Sequence, residues 1–186
     1  MRMRNKKRGQ VWVETVLYTL IGLVLIGVVL AIVLPKINQT KDRIAVEQTI
    51  ESLNVLDEKI NDVLNRGVGN VRIIPTFTIK RGDLYFNASS DSVIFLIDDL
   101  SKPYSEPGGP IEIGRVSVLS TTGQKFSKVV LTLEYSGLAN ITYFGEERTA
   151  KFTPSSAPYR FSMQNLGDIN NDGLFVIEIT ETSRRA

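Results

Sequence analysis

Lys6-Lys7-Arg8-Gly9-Gln10-Val11-Trp12-Val13-Glu14 runs almost directly into an uncharged stretch, residues 16–34, that stops at Pro35. The stretch is nineteen residues long and built mostly from Leu, Ile and Val, with Gly22 and Gly27 as small gaps. As a helix rising ~1.5 Å per residue, it matches about one hydrocarbon thickness. No polar face interrupts it, as a helix lying on a soluble core would require. Arg2, Arg4, Lys6, Lys7 and Arg8 precede it without a carboxylate among them, whereas Lys36, Lys41, Asp42 and Arg43 behind it are mixed in sign. That asymmetry predicts a cytoplasmic N-terminus and an exported remainder.

A cleavable secretory signal would have a shorter apolar core and a small-x-small site at its end. Ala31-Ile32-Val33-Leu34-Pro35 supplies no such site. A plain uncleaved anchor explains the charges and the length but gives no reason for Glu14. A carboxylate in an apolar helix costs on the order of 3 kcal/mol by insertion scales. Near the membrane edge it can snorkel, so cost alone does not decide the matter. The ordered spacing does more: basic residues, Gly9, Gln10, and then Glu14 as the fifth residue after that glycine.

This arrangement resembles the class III signal of type IV pilins, over residues 6 to about 35. The resemblance implies cleavage by a prepilin peptidase between Gly9 and Gln10, with the apolar helix retained. It also implies a register role for Glu14 of one subunit beside the new ammonium on Gln10 of another, since each buried charge is less costly as a pair than alone. Gln at the first mature position is similar to archaeal pilins, whose start often reads Q-x-S-x-E-F; here Trp12 stands at the usual Ser and Thr15 at the usual Phe. The partners implied are further copies of the chain in a helical filament, the peptidase, a polytopic platform protein and an assembly ATPase. The precursor would sit in the cell membrane and the assembled filament outside it, serving adhesion or surface attachment. An uncleaved, membrane-anchored β-domain that binds a partner at the cell surface is the alternative.

Composition removes several other functions. The chain has 186 residues, no cysteine and no histidine. Disulfides, thiolate nucleophiles, Cys/His zinc sites and Ser-His-Asp triads are therefore excluded. No set of convergent carboxylates can be placed in a cleft, so no catalytic residue is assigned and an enzyme is not expected. The formal charge is +2, from 22 basic and 20 acidic residues, but five of the basic ones fall in residues 1–9. Residues 10–186 thus carry 17 against 20, or −3. The basicity is a targeting feature, and no nucleic-acid contact is expected.

Four segments follow: a basic leader 1–9, a transmembrane or filament-core helix 10–35, an amphipathic continuation 36–69 and an extracellular β-rich domain 70–186. In the continuation Ile44, Ala45, Ile50, Leu53, Leu56, Ile60, Val63 and Leu64 recur at helical spacing. One helix from about residue 11 to 66, kinked near Pro35, is expected, closed by Gly67 and Gly69. Beyond it the pattern turns to alternation. Strands are predicted over 71–80, 84–86, 92–97, 111–119, 127–135, 141–144, 149–152, 159–164 and 174–180. Turn-forming residues separate them, which predicts an α+β protein whose head is an antiparallel sheet or sandwich.

Three further motifs stand out. Asp168-Ile169-Asn170-Asn171-Asp172-Gly173 has the D-x-N-x-D-G opening of a calcium loop, with Asp168, Asn170 and Asp172 as the side-chain ligands. Position twelve is Ile179 rather than Glu, and a hairpin turn uses the same residue types, so both readings stand. No cofactor is otherwise required. Asn38, Asn87 and Asn140 each open an N-x-S/T sequon, of which Asn38 lies nearest the membrane exit and would be buried in a filament. Arg81-Gly82-Asp83 is read as turn chemistry rather than as an adhesion tripeptide.

Overall fold

The computed structural model describes residues 7–182, with side chains from Trp12 onward. Residues 1–6 of the basic leader and residues 183–186 of the β-rich domain lie outside the described residues. The chain divides into two compact units, residues 1–40 and 41–186. A single helix, α1 (Lys7–Arg66), contributes to both and carries Pro35 inside it. Ten strands follow, so the α+β class with a β-rich head holds.

In the first unit, every large apolar side chain from Trp12 to Leu34 is exposed, between 40% at Val33 and 71% at Trp12. The second unit is organised on the amphipathic end of α1. Val46, Ile50, Leu53, Leu56, Ile60 and Val63 are buried at spacings of three and four. Ile44, expected in this stripe, is 46% exposed, and Val46 takes the place it was assigned. At 3.6 residues per turn Ile44 lies about half a turn away from Leu53, on the opposite side of the helix. Asp42, Val46, Ile50, Leu53, Asp57 and Ile60 share one face, and both carboxylates are buried with it. Past Arg66 the chain leaves the helix through Gly67 and Gly69, both at positive φ. The Asn70 amide donates to the Arg66 carbonyl at 2.8 Å, satisfying one of the orphaned C-terminal groups.

One sheet has six strands in the order β4 (Ile111–Ile113), β5 (Val116–Thr122), β6 (Ser127–Glu134), β3 (Ser92–Leu100), β2 (Asp83–Asn87) and β8 (Thr149–Phe152). The other has four, in the order β1 (Val71–Phe77), β9 (Tyr159–Gly167), β10 (Phe175–Glu181) and β7 (Ala139–Tyr143). Burial alternates along most strands, most clearly in β6 and β9, so each sheet has one face inward. The inward residues of both sheets and the buried face of α1 form one apolar cluster. At one side of it Phe86 and Phe152 of the larger sheet meet Phe161 of the smaller, with ring centroids 5.0–5.6 Å apart and edges against faces.

Three expectations change. The strand predicted over 111–119 is broken into β4 and β5 by a two-residue turn, with Ile113 opposite Val116 and Gly114 at φ 66°. Glycine at the first central position of such a turn accepts the positive φ that the tight hairpin demands. The strand predicted over 71–80 ends at Phe77, and residues 78–80 lead Arg81 to the start of the amphipathic helix. The head is also not wholly antiparallel: β7 and β10 pair in parallel, with Ile141 opposite Ile177. Two strands in sequence, β8 and β9, separate the members of that pair, which makes the parallel return geometrically available.

Three polar ties hold α1 to the sheets. Near its start in this unit, the Asp42 carboxylate accepts the Ser101 N–H at 2.7 Å and an Arg81 guanidinium N–H. At its middle, the Tyr135 hydroxyl donates to Asp57 Oδ1 at 2.8 Å, and the Arg115 guanidinium lies 3.5 Å from the same oxygen and over the tyrosine ring. Near its end, the fully buried Asn165 donates to the Val63 carbonyl at 3.3 Å and accepts the Gly167 N–H at 2.9 Å. Burial by itself would raise the Asp42 pKa, but its bonds from Ser101 and Arg81 outweigh that and hold it below the usual carboxylate value. Burial, and then the negative charge of Asp57, push the Tyr135 phenol well above its usual range.

The signs predict a stability plateau with two limbs. Asp42 contributes stability above its unfolded-state pKa of about 4, lost as pH falls through its lower folded-state value. Tyr135 keeps its proton in the folded state, so its contribution is full below about pH 10 and is lost as pH rises above it. We expect Tyr135→Phe to cost about 1–3 kcal/mol near neutral pH, because a buried carboxylate loses a donor. The same variant should show a shallower alkaline limb in thermal melts of the full-length chain in detergent. An unchanged alkaline limb would mean that the phenol is not the titrating group.

Candidate functional site

The apolar segment of α1 has no charge over residues 16–34, its backbone groups are satisfied within the helix, and Thr19 returns its hydroxyl to the Thr15 carbonyl at 2.9 Å. The backbone of Gly9 and Gln10, where cleavage is expected, is helical, and the Gln10 side chain lies outside what is described. Glu14 is exposed on the same helix, at the head of the apolar run. The described helix is long and apolar enough to cross a membrane, and none of its most apolar window is buried by the rest of the chain. An uncovered apolar surface of this extent needs lipid or protein around it. What it offers is burial on every side plus a single carboxylate near one end.

The 168–173 loop joins β9 to β10. Asp168 accepts the N–H groups of Asp172 at 3.1 Å and Gly173 at 3.0 Å, one on each carboxylate oxygen. Asp172 accepts the Leu174 N–H at 2.9 Å and the Asn140 amide at 2.7 Å, and these bonds hold its pKa below the usual value. Asn171 and Gly173 take positive φ. Of the three expected ligands, Asp168 and Asp172 thus accept hydrogen bonds that close the hairpin, which is Asx-turn chemistry, and Asn170 is exposed in the same loop. Among the described residues no group of three or more acidic side chains is arranged to hold a metal.

The sequons differ in setting. Asn38 is exposed on α1, and Thr40 of the same triplet bonds back to the Lys36 carbonyl at 3.0 Å. Asn87 ends β2 and accepts the Thr149 hydroxyl at 3.3 Å, with Ser89 exposed. Asn140 donates to Asp172 across to the neighbouring loop, and Thr142 is buried with its hydroxyl oxygen lacking a hydrogen-bond partner. Arg81 of the Arg-Gly-Asp triplet is a clamp: besides Asp42 it donates to the carbonyls of Asp98, at 2.9 Å, and Asp99. Gly82 is hemmed in, since a Cβ there would fall 2.3 Å from the Leu96 carbonyl oxygen. That packing leaves the triplet an internal structural element.

Sequence reasoning missed the buried set Asp42, Asp57, Tyr135 and Asn165. A signal existed for the aspartates, which lie in phase with Val46, Ile50 and Ile60. An in-phase carboxylate announces a buried partner, though periodicity cannot name it. The chain matches no family model, no curated protein and no solved structure.

If the 168–173 loop is a self-closing turn, Asp168→Ala should lower the melting temperature by roughly 2–4 °C. The loss should be equal in excess Ca²⁺ and in chelator. A wild-type melting shift on adding Ca²⁺ that vanishes in the variant would instead establish a cation site.

Proposed function

We propose that this chain is the structural subunit of a type IV pilus-like surface filament, released from its leader by cleavage after Gly9. The observation that carries this is a single helix with two chemistries. Its first part exposes apolar side chains all round and bears only Glu14, and its second part is built into the core of a β-rich head. A helix of the first kind can serve two stages, lying in lipid before assembly and packing against copies of itself afterwards. The ordered basic residues, Gly9, Gln10 and Glu14 supply what a peptidase and a filament register would each require. In the dry core the Gln10 ammonium and Glu14 of adjacent subunits would compensate each other and fix their axial offset. Attachment to surfaces fits a head held outside the cell.

A second reading, an uncleaved anchored binding module, draws on a half-open cleft of about 440 Å³ beside α1, lined by Gln48, Ser52, Thr76, Thr78 and Lys80 among others. Hydroxyls and an amide, with the Glu51 carboxylate beside Lys80 and Arg81, would suit a polar ligand.

N-terminal sequencing of the protein from its native membrane separates the two. A mature chain beginning at Gln10 is expected, and filaments sheared from the cell surface should contain it. Glu14→Gln should still be processed and remain in the membrane, with filament yield reduced at least about ten-fold, as loss of one buried charge partner implies. An intact Met1 would overturn the reading, and so would normal filaments from the Glu14→Gln chain.

A further inference from the structure

The three sequons are alike in sequence, and the fold sets them apart. Transfer of a saccharide to asparagine needs two groups within reach of one enzyme. One is the amide nitrogen that takes the sugar, and the other is the Ser or Thr hydroxyl two residues on, which completes the recognised triplet. At Asn38 both residues are on α1, where positions two apart point about 200° away from each other. The Thr40 hydroxyl is also bonded to the Lys36 carbonyl. At Asn140 the triplet lies in β7, and the amide nitrogen donates to the Asp172 carboxylate at 2.7 Å. Thr142 is 9% exposed, and its hydroxyl oxygen is buried. Neither half of that triplet is open in the folded head.

Asn87 differs on each count. Burial alternates along β2, with Leu84 and Phe86 inward and Asn87 on the outer face with Asp83 and Tyr85. Asn87 ends the strand with φ −103° and ψ 94°, and the chain turns at once into a short 3-10 helix, Ala88–Ser90. Ala88 is buried and anchors the turn, whereas Ser89 is exposed. The Asn87 side chain is held through Oδ1, which accepts the Thr149 hydroxyl at 3.3 Å. Among the described residues neither its amide nitrogen nor the Ser89 hydroxyl is engaged in a hydrogen bond. Modification at the nitrogen would leave the Oδ1 bond in place, so a sugar can be carried without giving up a contact of the fold.

We propose that Asn87 carries an N-linked glycan, added to the folded head after export, and that Asn38 and Asn140 stay bare. The inference rests on the export of the head that the membrane reading of α1 implies. The donor is a saccharide held on a lipid phosphate. Asn87 Nδ2 forms a bond to the anomeric carbon as that carbon's bond to the phosphate oxygen breaks. The phosphate leaves with the bonding electron pair, and the amide gives one proton to a base of the transferase. Ser89 presents its hydroxyl to the same enzyme and is a positioning residue for the transfer.

The test is mass spectrometry of peptides from the chain purified from its native membrane. The peptide containing Asn87 should carry the added mass of a saccharide, and those containing Asn38 and Asn140 should have the mass of bare polypeptide. Asn87→Gln and Ser89→Ala should each lose the saccharide, whereas Ser89→Thr, which keeps a hydroxyl, and Asn140→Gln should both retain it. A saccharide on Asn140 or Asn38 would overturn the selection by the fold, and so would its persistence in Ser89→Ala. Protease added to spheroplasts reports export separately. A bare Asn87 in a head that the protease digests would overturn this inference and leave the export reading standing. A head protected from the protease would overturn the export reading and this inference together.

Discussion

Asp57 is a carboxylate in the apolar face of a helix, and the head is arranged so that it can stay there. Left alone, such a group would cost several kcal/mol. The Tyr135 hydroxyl and the Arg115 guanidinium meet it from the larger sheet, and Arg115 also donates to the Glu134 carbonyl at 3.0 Å. This fixes the rotation of α1 about its axis, because only one phase brings Asp57 to Tyr135. The same phase delivers Asp42 to Ser101 and Arg81, and the Val63 carbonyl to Asn165. The apolar stripe between these ties would tolerate a small rotation or slide, since apolar contact is non-directional. Hydrogen bonds to buried charge would not.

That fixed phase matters because one helix serves two environments. From Trp12 to Leu34 the helix has no preferred face and can be surrounded uniformly. From Val46 to Val63 it has one face only. Pro35, near the change, cannot donate the hydrogen bond to residue 31 that a continuous helix would use. It is placed where neither a full lipid embrace nor the head's core demands a perfect ladder.

Two other motifs carry internal hydrogen bonds. Arg81 of the Arg-Gly-Asp triplet ties the β3 backbone at Asp98 and Asp99 to α1, and Asp168 closes its own hairpin. In both, a charged side chain finds backbone partners within hydrogen-bond reach, which is the common outcome when turn residues carry the charge.

The sequence by itself determined the apolar segment, the amphipathic continuation, the glycine stop after Arg66 and a head of short strands. These depend on local periodicity and on residue preferences that need no distant partner. It also carried the spacing of Gly9, Gln10 and Glu14, which is a linear property. Tertiary structure alone decided the pairing of β7 with β10 in parallel and the division of the strands into two sheets. It likewise chose the partners of Asp42, Asp57 and Asn165. Each of these joins residues tens of positions apart, and what selects them is the joint requirement that both sheets bury one face and that every buried charge meets a donor. Ile44 is misplaced in the stripe on helical period alone: it lies about half a turn round the helix from Leu53 and Ile60, and it is exposed.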